Sequence, residues 1–278
     1  YKISVPCKKN EKKVDKELFL KIFDKNRVKG AFFKSDTYEA RILRFYSPLQ
    51  CPVPTLIDHR RDDNALIMNY VHGDTLEEKI IGLKTKDIGK VENPEETRKQ
   101  FITRYLEHSV RALASLHAKG SHNVQMLEED GKLLLFVPDK NYYLKRFLRY
   151  SKNILQESKK DFEADREFTS KLIEPFYIID AILQKGSSVI HGDLHPSNII
   201  IVKEDVKQQL EGLSAAPKIT FVDFDRVQKG KDVSDLVDML CHPLFEMDDH
   251  KTNRFIEKYL DQREKTASEL HKDDKDYG

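Results

Sequence analysis

The chain has 278 residues, with 48 Lys and Arg against 47 Asp and Glu, so its formal net charge is +1. That balance gives no global electrostatic case for nucleic-acid binding, and no stretch approaches the ~20 apolar residues of a membrane helix. With 39% apolar and 34% charged residues, the composition is that of a soluble globular chain, long enough to bury a sizeable core as one large domain or two lobes.

Residues 2–5 and 17–23 read as strands, with the Lys-rich stretch 8–16 as a solvated turn between them. Residues 36–46 read as a helix with Asp36 or Ser35 as N-cap, broken by Cys51-Pro52-Val53-Pro54. Strands are expected at 54–57 and 64–71, turning at Asp62-Asp63-Asn64. The first 71 residues are therefore mostly antiparallel strand with one helix, and beyond them the pattern turns helical. The best-marked helix covers 94–119. Asn93 is its N-cap, Pro94 takes the first helical position, and Glu96 completes a capping-box spacing. Ile102, Leu106, Val110, Leu113 and Leu116 recur at helical spacing, and Gly120 stands where a helix stops. A hairpin is expected from 124–127 to 132–137 around Asp130-Gly131. Two charged amphipathic helices follow at 140–158 and 161–185. Short buried strands come next at 188–191 and 218–223, then helices at 233–241 and 250–270.

The three cysteines, Cys7, Cys51 and Cys241, are odd in number and far apart. That argues against a disulfide framework or zinc cluster and fits a reducing, cytoplasmic setting. No N-terminal segment reads as a signal peptide. The chain opens at Tyr1 inside a strand-like segment and closes on a polar tail, 271–278, the pattern of a piece of a longer chain.

The chemistry concentrates in HGDLHPSN (191–198) and FVDFD (221–225). Asp193 and Asn198 stand five residues apart on a Pro-containing loop. At that spacing a kinase catalytic loop carries a carboxylate that accepts the substrate hydroxyl proton and an amide that holds a metal. Asp223, 25 residues on, ends a hydrophobic strand, a place from which a carboxylate can chelate the Mg²⁺ bridging nucleotide phosphates. Lys21 lies inside LFLKIF (18–23), and Glu39 lies 18 residues later on the next helix. A strand lysine paired to a helix glutamate is a clamp for α- and β-phosphates. LIMNYVHG (66–73) runs from a strand into a turn between the two halves, where a hinge would offer backbone hydrogen bonds to adenine. His191 and His195 read as catalytic groups or, more simply, as rings that hold the loop by hydrogen bonds. Asp225 reads as a substrate or metal carboxylate or as a turn cap, and His117 as a packed helix-end histidine. The acidic residues from Glu157 to Glu174 interleave with Lys159, Lys160, Arg166 and Lys171, as on a solvated helix face.

HGDLHPSNII followed by ITFVDFD, together with ALIMNYVHGDTL, RALASLHAKG and DVSDL (232–236), resembles the aminoglycoside phosphotransferase/choline kinase superfamily of protein-kinase-like small-molecule kinases, over roughly residues 15–240. The resemblance implies an α+β, bilobal protein-kinase-like fold. It has a small antiparallel-sheet N-lobe at 1–71 and a mostly helical C-lobe at 72–278, with the acceptor region at 121–187. It implies ATP- and Mg²⁺-dependent transfer of the γ-phosphoryl group to a hydroxyl of a small molecule, such as a sugar, an amino alcohol or an aminoglycoside. It further implies Asp193 as catalytic base or hydroxyl-orienting carboxylate, Asn198 and Asp223 as Mg²⁺ ligands, and Lys21 on the nucleotide phosphates with Glu39 positioning it. Asn69, Tyr70 and Val71 would supply hinge contacts to the nucleotide, and Asp235 would brace the catalytic loop. The chain departs from protein kinases in several ways. No Gly precedes Gly30, Asp225 follows the D-F pair, no A-P-E triplet is present, and 71 positions separate Gly120 from His191. An atypical protein kinase and a catalytically silent nucleotide-binding or interaction module are the alternatives.

Overall fold

The computed structural model describes residues 1–9, 12–24, 36–85, 93–129, 132–138, 187–203 and 216–276. Strands β1 (Lys2–Lys9) and β2 (Lys12–Ile22) pair antiparallel, Lys2 opposite Phe19 and Lys9 opposite Lys12. Most of the expected Lys-rich turn is therefore ladder. Pairing uses backbone groups alone, and lysines are well tolerated along an edge strand. Strands β3 (Leu56–Arg60) and β4 (Ala65–Asn69) complete a four-stranded antiparallel sheet of order β1-β2-β4-β3. They are joined by a 3-10 turn at Arg61–Asp63, with Asn64 at φ 47°. Helix α1 (Asp36–Tyr46) buries Ile42, Leu43 and Tyr46 and packs against β3, β4 and the turn at 224–226. Its first residue, Asp36, is tied through Oδ2 to Nε2 of His59 on β3 at 2.6 Å.

Past the sheet the chain forms β5 (Gly73–Thr75) and α2 (Leu76–Thr85), then the long α3 (Pro94–His122). Asn93 caps α3, its side-chain oxygen accepting from the Glu96 N–H at 3.2 Å. Leu106, Val110, Leu113 and Leu116 are buried, as their spacing required, and Ile102 is half-buried. Gly120 does not stop the helix. It is buried inside the last turns, where a Cβ would come within 3.1 Å of the Tyr46 hydroxyl and 3.2 Å of Val189 Cβ. The glycine is there because α1 and the strand at 188–190 approach closely. The expected hairpin is shorter than its pattern. Val124–Leu127 forms a 3-10 turn, and only β6 (Glu128–Glu129) and β7 (Lys132–Leu133) pair. The chain leaving α3 keeps local bonds such as Met126 N–H to the Asn123 carbonyl, which leaves little length for a ladder. The helices expected at 140–158 and 161–185, and with them most of the 121–187 region, lie outside the described residues.

The remaining strands are short. β8 (Ser188–Ile190) pairs with β11 (Gln228–Gly230), and β9 (Ile199–Val202) lies between β10 (Ile219–Phe221) and β5. All three residues of β8 and of β10 are buried. Helix α4 (Asp232–Leu240) follows, and α5 (Asp249–Asp276) packs along α3. Among the described residues the architecture is α+β as expected, an antiparallel sheet first and mainly helices after it. None of the described helices is long and apolar enough to cross a membrane.

Candidate functional site

The sheet and the far end of the chain meet at Lys21. Its partner across the ladder is Leu66, one pair from the end of the β2–β4 pairing. Its ammonium lies 2.5 Å from Glu39 Oε2 on α1 and is also paired with Asp223, which follows β10. Burial alone would lower the Lys21 pKa, but the two carboxylates outweigh it and hold the ammonium above its ordinary value. Burial likewise works against ionisation of Asp223, yet Lys21 holds its carboxyl below the usual range. Burial pushes the Glu39 carboxyl up to about 7, against the pull of Lys21. Asp223 adopts the left-handed backbone, φ 68° and ψ 59°. For a residue with a Cβ this is a sparsely populated state that neighbours must enforce. They do so on both sides: Val222 N–H donates to the Asn198 carbonyl at 3.0 Å, and Phe224 N–H to Glu39 Oε1 at 3.3 Å.

The loop from His191 to Asn198 is held from below by Asp235 on α4. Its carboxylate accepts from the N–H groups of His191 at 2.6 Å and Gly192 at 2.8 Å. Gly192 has φ 78°, and a Cβ there would fall against the Arg226 carbonyl oxygen. His191 Nε2 reaches the Val222 carbonyl at 2.9 Å, and Asn198 Nδ2 lies 3.2 Å from His195 Nε2, so both rings hold the loop. Asn198 Nδ2 also donates to the Asp193 carbonyl at 3.0 Å. Asp193 itself is paired at 2.8 Å with Arg226, the last residue of the 3-10 turn Phe224–Arg226 that also contains Asp225. Sequence reasoning passed over Arg226. The only signal was its place directly after FVDFD.

A cavity of about 440 Å³ opens beside these groups. Phe19, Met68, Ile200 and Val222 give it apolar walls, Lys21 and Asp223 lie at one part of its lining, and Asn69, Tyr70 and Val71 line it too. Two of these three residues use their amides within the protein. Asn69 N–H donates to the Thr55 carbonyl at 3.0 Å and Tyr70 N–H to the Glu17 carbonyl at 3.3 Å. Of the three, only Val71 keeps an amide N–H that no described residue engages. Thr75 and Glu78 also line the cavity and form a reciprocal capping box at the start of α2. Glu78 N–H donates to Thr75 Oγ1 at 3.1 Å, and Thr75 N–H to Glu78 Oε2 at 2.8 Å. The T-x-x-E spacing at 75–78 was the available signal.

The donor set suits a hard divalent cation. Asp223 offers carboxylate oxygens at the cavity. Asn198 is not among the residues lining the cavity, and its amide nitrogen is turned to the Asp193 carbonyl. A Mg²⁺ that takes its other ligands from phosphates and water is usually held by one or two protein carboxylates. Among the described residues no three His, Cys, Asp or Glu side chains converge as a metal cage.

A Lys–Glu–Asp bridge between an antiparallel sheet and a catalytic-type loop on a helical body defines the protein-kinase-like class. The profile of the phosphotransferase enzyme family matches residues 11–272, and the chain belongs to that family. No curated protein matches it in sequence. Among solved structures it is similar to the GDP and kanamycin complex of APH(2″)-IIIa, with TM-score 0.52 and 12% identity, covering 96% of this chain and 81% of that one. It is also similar to a choline kinase from Cryptosporidium parvum Iowa II, with TM-score 0.50 and 12% identity, covering 91% of this chain and 66% of that one. A Plasmodium vivax ethanolamine kinase aligns at TM-score 0.49 and 14% identity, over 88% of this chain and 61% of that one. The first two show the shared fold. The chain spans less than two thirds of the ethanolamine kinase and about two thirds of the choline kinase.

Proposed function

We propose that the chain is an ATP- and Mg²⁺-dependent phosphotransferase that moves the γ-phosphoryl group to a hydroxyl of a small molecule. The observation that carries this reading is Lys21, bridging Glu39 and Asp223 at the lining of a cavity of about 440 Å³. Family membership and a neighbour of like fold complexed with GDP support it.

Each residue then has a task. The apolar walls take the base, and the Val71 N–H supplies a hinge hydrogen bond. Lys21 offers its charge to phosphate oxygens while Glu39 keeps the ammonium in place. Asn198 and Asp223 hold Mg²⁺, which when bound neutralises charge on the transferring phosphate. Asp193 aligns the acceptor hydroxyl and takes its proton, its carboxylate oriented by Arg226. Catalysis of this kind is positioning and electrostatics more than covalent chemistry.

Thermal unfolding with and without Mg–ATP tests the nucleotide site. Ligand at 100 times Kd adds about 2.7 kcal/mol to the folded state. The shift requires Mg²⁺ and is lost in Asp223→Asn. ADP release across a panel of sugars, amino alcohols and aminoglycosides then identifies the acceptor. Asp193→Ala keeps the thermal shift and loses turnover. Absence of any shift with ATP or GTP would overturn the reading. Binding without turnover on any acceptor would leave a nucleotide-binding module, and transfer to protein alone would make it a protein kinase.

A further inference from the structure

A second cavity, of about 280 Å³, opens on the helical body between the end of α2, the first half of α3, the loop at 243–247 and the start of α5. No described residue lines both this cavity and the one at Lys21. Along α3 it reaches only to Leu106. That is about three turns, or roughly 16 Å, short of His117, which lies 2.9 Å from Asp235 beneath the loop at 191–198.

The floor of this cavity is apolar. Leu106, Phe245 and Phe255 are buried, and Ile102, Leu244 and Met247 are partly buried and packed on the same core. The rim is charged and mostly positive. Among the described residues Lys84, Arg98, Lys99 and Lys251 line it against two carboxylates, Glu95 and Glu246. Lys84 is taken up by the loop, its ammonium 2.8 Å from Glu246 Oε1 and donating to the Leu244 carbonyl at 3.1 Å. Glu95 stands 3.9 Å from Arg98 Nη1 and 3.8 Å from Lys99 Nζ, contacts of charge too long for hydrogen bonds. Lys251 lies 3.3 Å from the Glu246 carbonyl oxygen and 3.4 Å from Asp248. It is the third residue of α5, a place where helix stability favours an anion. The side chains of Lys99 and Lys251 are 65% and 52% exposed, so both ammonium groups can be reached from solvent.

Ligand pockets pair apolar walls with a few polar groups that fix orientation. Here the polar groups are cations at the mouth. A cationic ligand would meet like charge, and an inorganic anion would leave the floor bare. The volume lies just under the range that takes drug-sized ligands, so the apolar body is short.

We propose that this cavity is a second ligand site, for a small anionic amphiphile whose carboxylate is held by Lys99 and Lys251 beside Arg98 and whose hydrocarbon body lies on Ile102, Phe245 and Phe255. The inference goes beyond the phosphotransferase reading and does not rest on it.

Octanoate titrated into the full chain by calorimetry, without nucleotide or Mg²⁺, tests the site. It binds saturably, one per chain. Hexanoate, two methylenes shorter, binds about tenfold more weakly. Octylammonium and sulfate give no saturable binding. The methyl signals of Ile102 and Met247 shift with octanoate, and those of Met68 and Ile200 in the cavity at Lys21 do not. Lys99→Glu combined with Lys251→Glu weakens octanoate by about tenfold or more. Lys265→Glu, at an exposed lysine of α5 away from the cavity, leaves it unchanged. Lys99→Gln with Lys251→Gln answers the same question if the charge reversal fails to fold. No saturable octanoate binding, equal binding of octylammonium, or wild-type affinity in the paired lysine variants overturns the proposal. Shifts at Met68 and Ile200 in place of Ile102 and Met247 overturn it as well. A chain that transfers no phosphate removes the function proposed above and leaves every one of these outcomes able to decide the second site.

Discussion

Arg226 closes the turn that begins one residue after Asp223, and its guanidinium reaches Asp193 at 2.8 Å. The two carboxylates most important to the proposed chemistry are thus held by one short stretch of backbone. Arg226→Ala removes the guanidinium that pairs with Asp193 without opening the core. Misplacement of a reacting group by about 1 Å can cost about a hundredfold, so kcat falls by about 10- to 100-fold and Arg226→Lys recovers part of it. Wild-type kcat in Arg226→Ala would show that Asp193 does not need the pair. Asp193 and Asn198 stood out in the sequence because their spacing is local, and Asp223 because it ends a hydrophobic strand. Lys21 and Glu39 were visible only as possible partners, since a strand lysine and a helix glutamate are common. Arg226 was hidden because its reach depends on the left-handed backbone at Asp223, φ 68°, which a single aspartate in the sequence does not mark. His117 read as a packed helix-end histidine. It is packed, but the tie to Asp235 needed the fold to bring 118 residues of separation to contact.

At the scale of elements, boundaries set by local chemistry were legible and those set by contact were not. The start of α3 could be read from Asn93, Pro94 and Glu96, because capping is made within one turn. Its end could not, because Gly120 answers to Tyr46 and Val189 on other elements. This gives a prediction of opposite sign to helix propensity. Alanine is better than glycine in a helix interior by about 1 kcal/mol. Yet overfilling a close contact costs about 1–3 kcal/mol, and Tyr46 is fully buried with little room to move. Gly120→Ala therefore lowers the urea midpoint, and a raised midpoint would mean α1 and α3 separate freely. The short strand β5 was missed for the same reason as the end of α3. Its three residues pair with β9, more than 120 positions on, and carry no period of their own.

The whole molecule is pinned at Asp235, where α3, α4 and the loop at 191–198 share one carboxylate. Its pKa is depressed in the folded state. The corresponding stabilisation is fully present above the unfolded value of about 3.9 and is lost as pH falls below it toward the folded value. Wild-type stability therefore declines on the acid side partly through this residue. Asp235→Asn leaves His117 without its charged partner. Replacing a buried charged hydrogen-bond acceptor costs about 1.5–3 kcal/mol, measurable by urea denaturation at pH 7, and the acid limb becomes shallower. An unchanged acid limb in that variant would show that other carboxylates carry it.

The Lys21–Asp223 bridge spans 202 residues of sequence, and this bears on how the protein is made. At about 5–20 residues per second on the ribosome, roughly 10–40 s pass between synthesis of the lysine and of its aspartate partner. Through that interval the emerging sheet cannot hold nucleotide in the manner proposed, whatever the cellular ATP concentration. Ligand-assisted folding can begin only once Asp223 has left the ribosome to join Lys21, so the sheet must first form without that help.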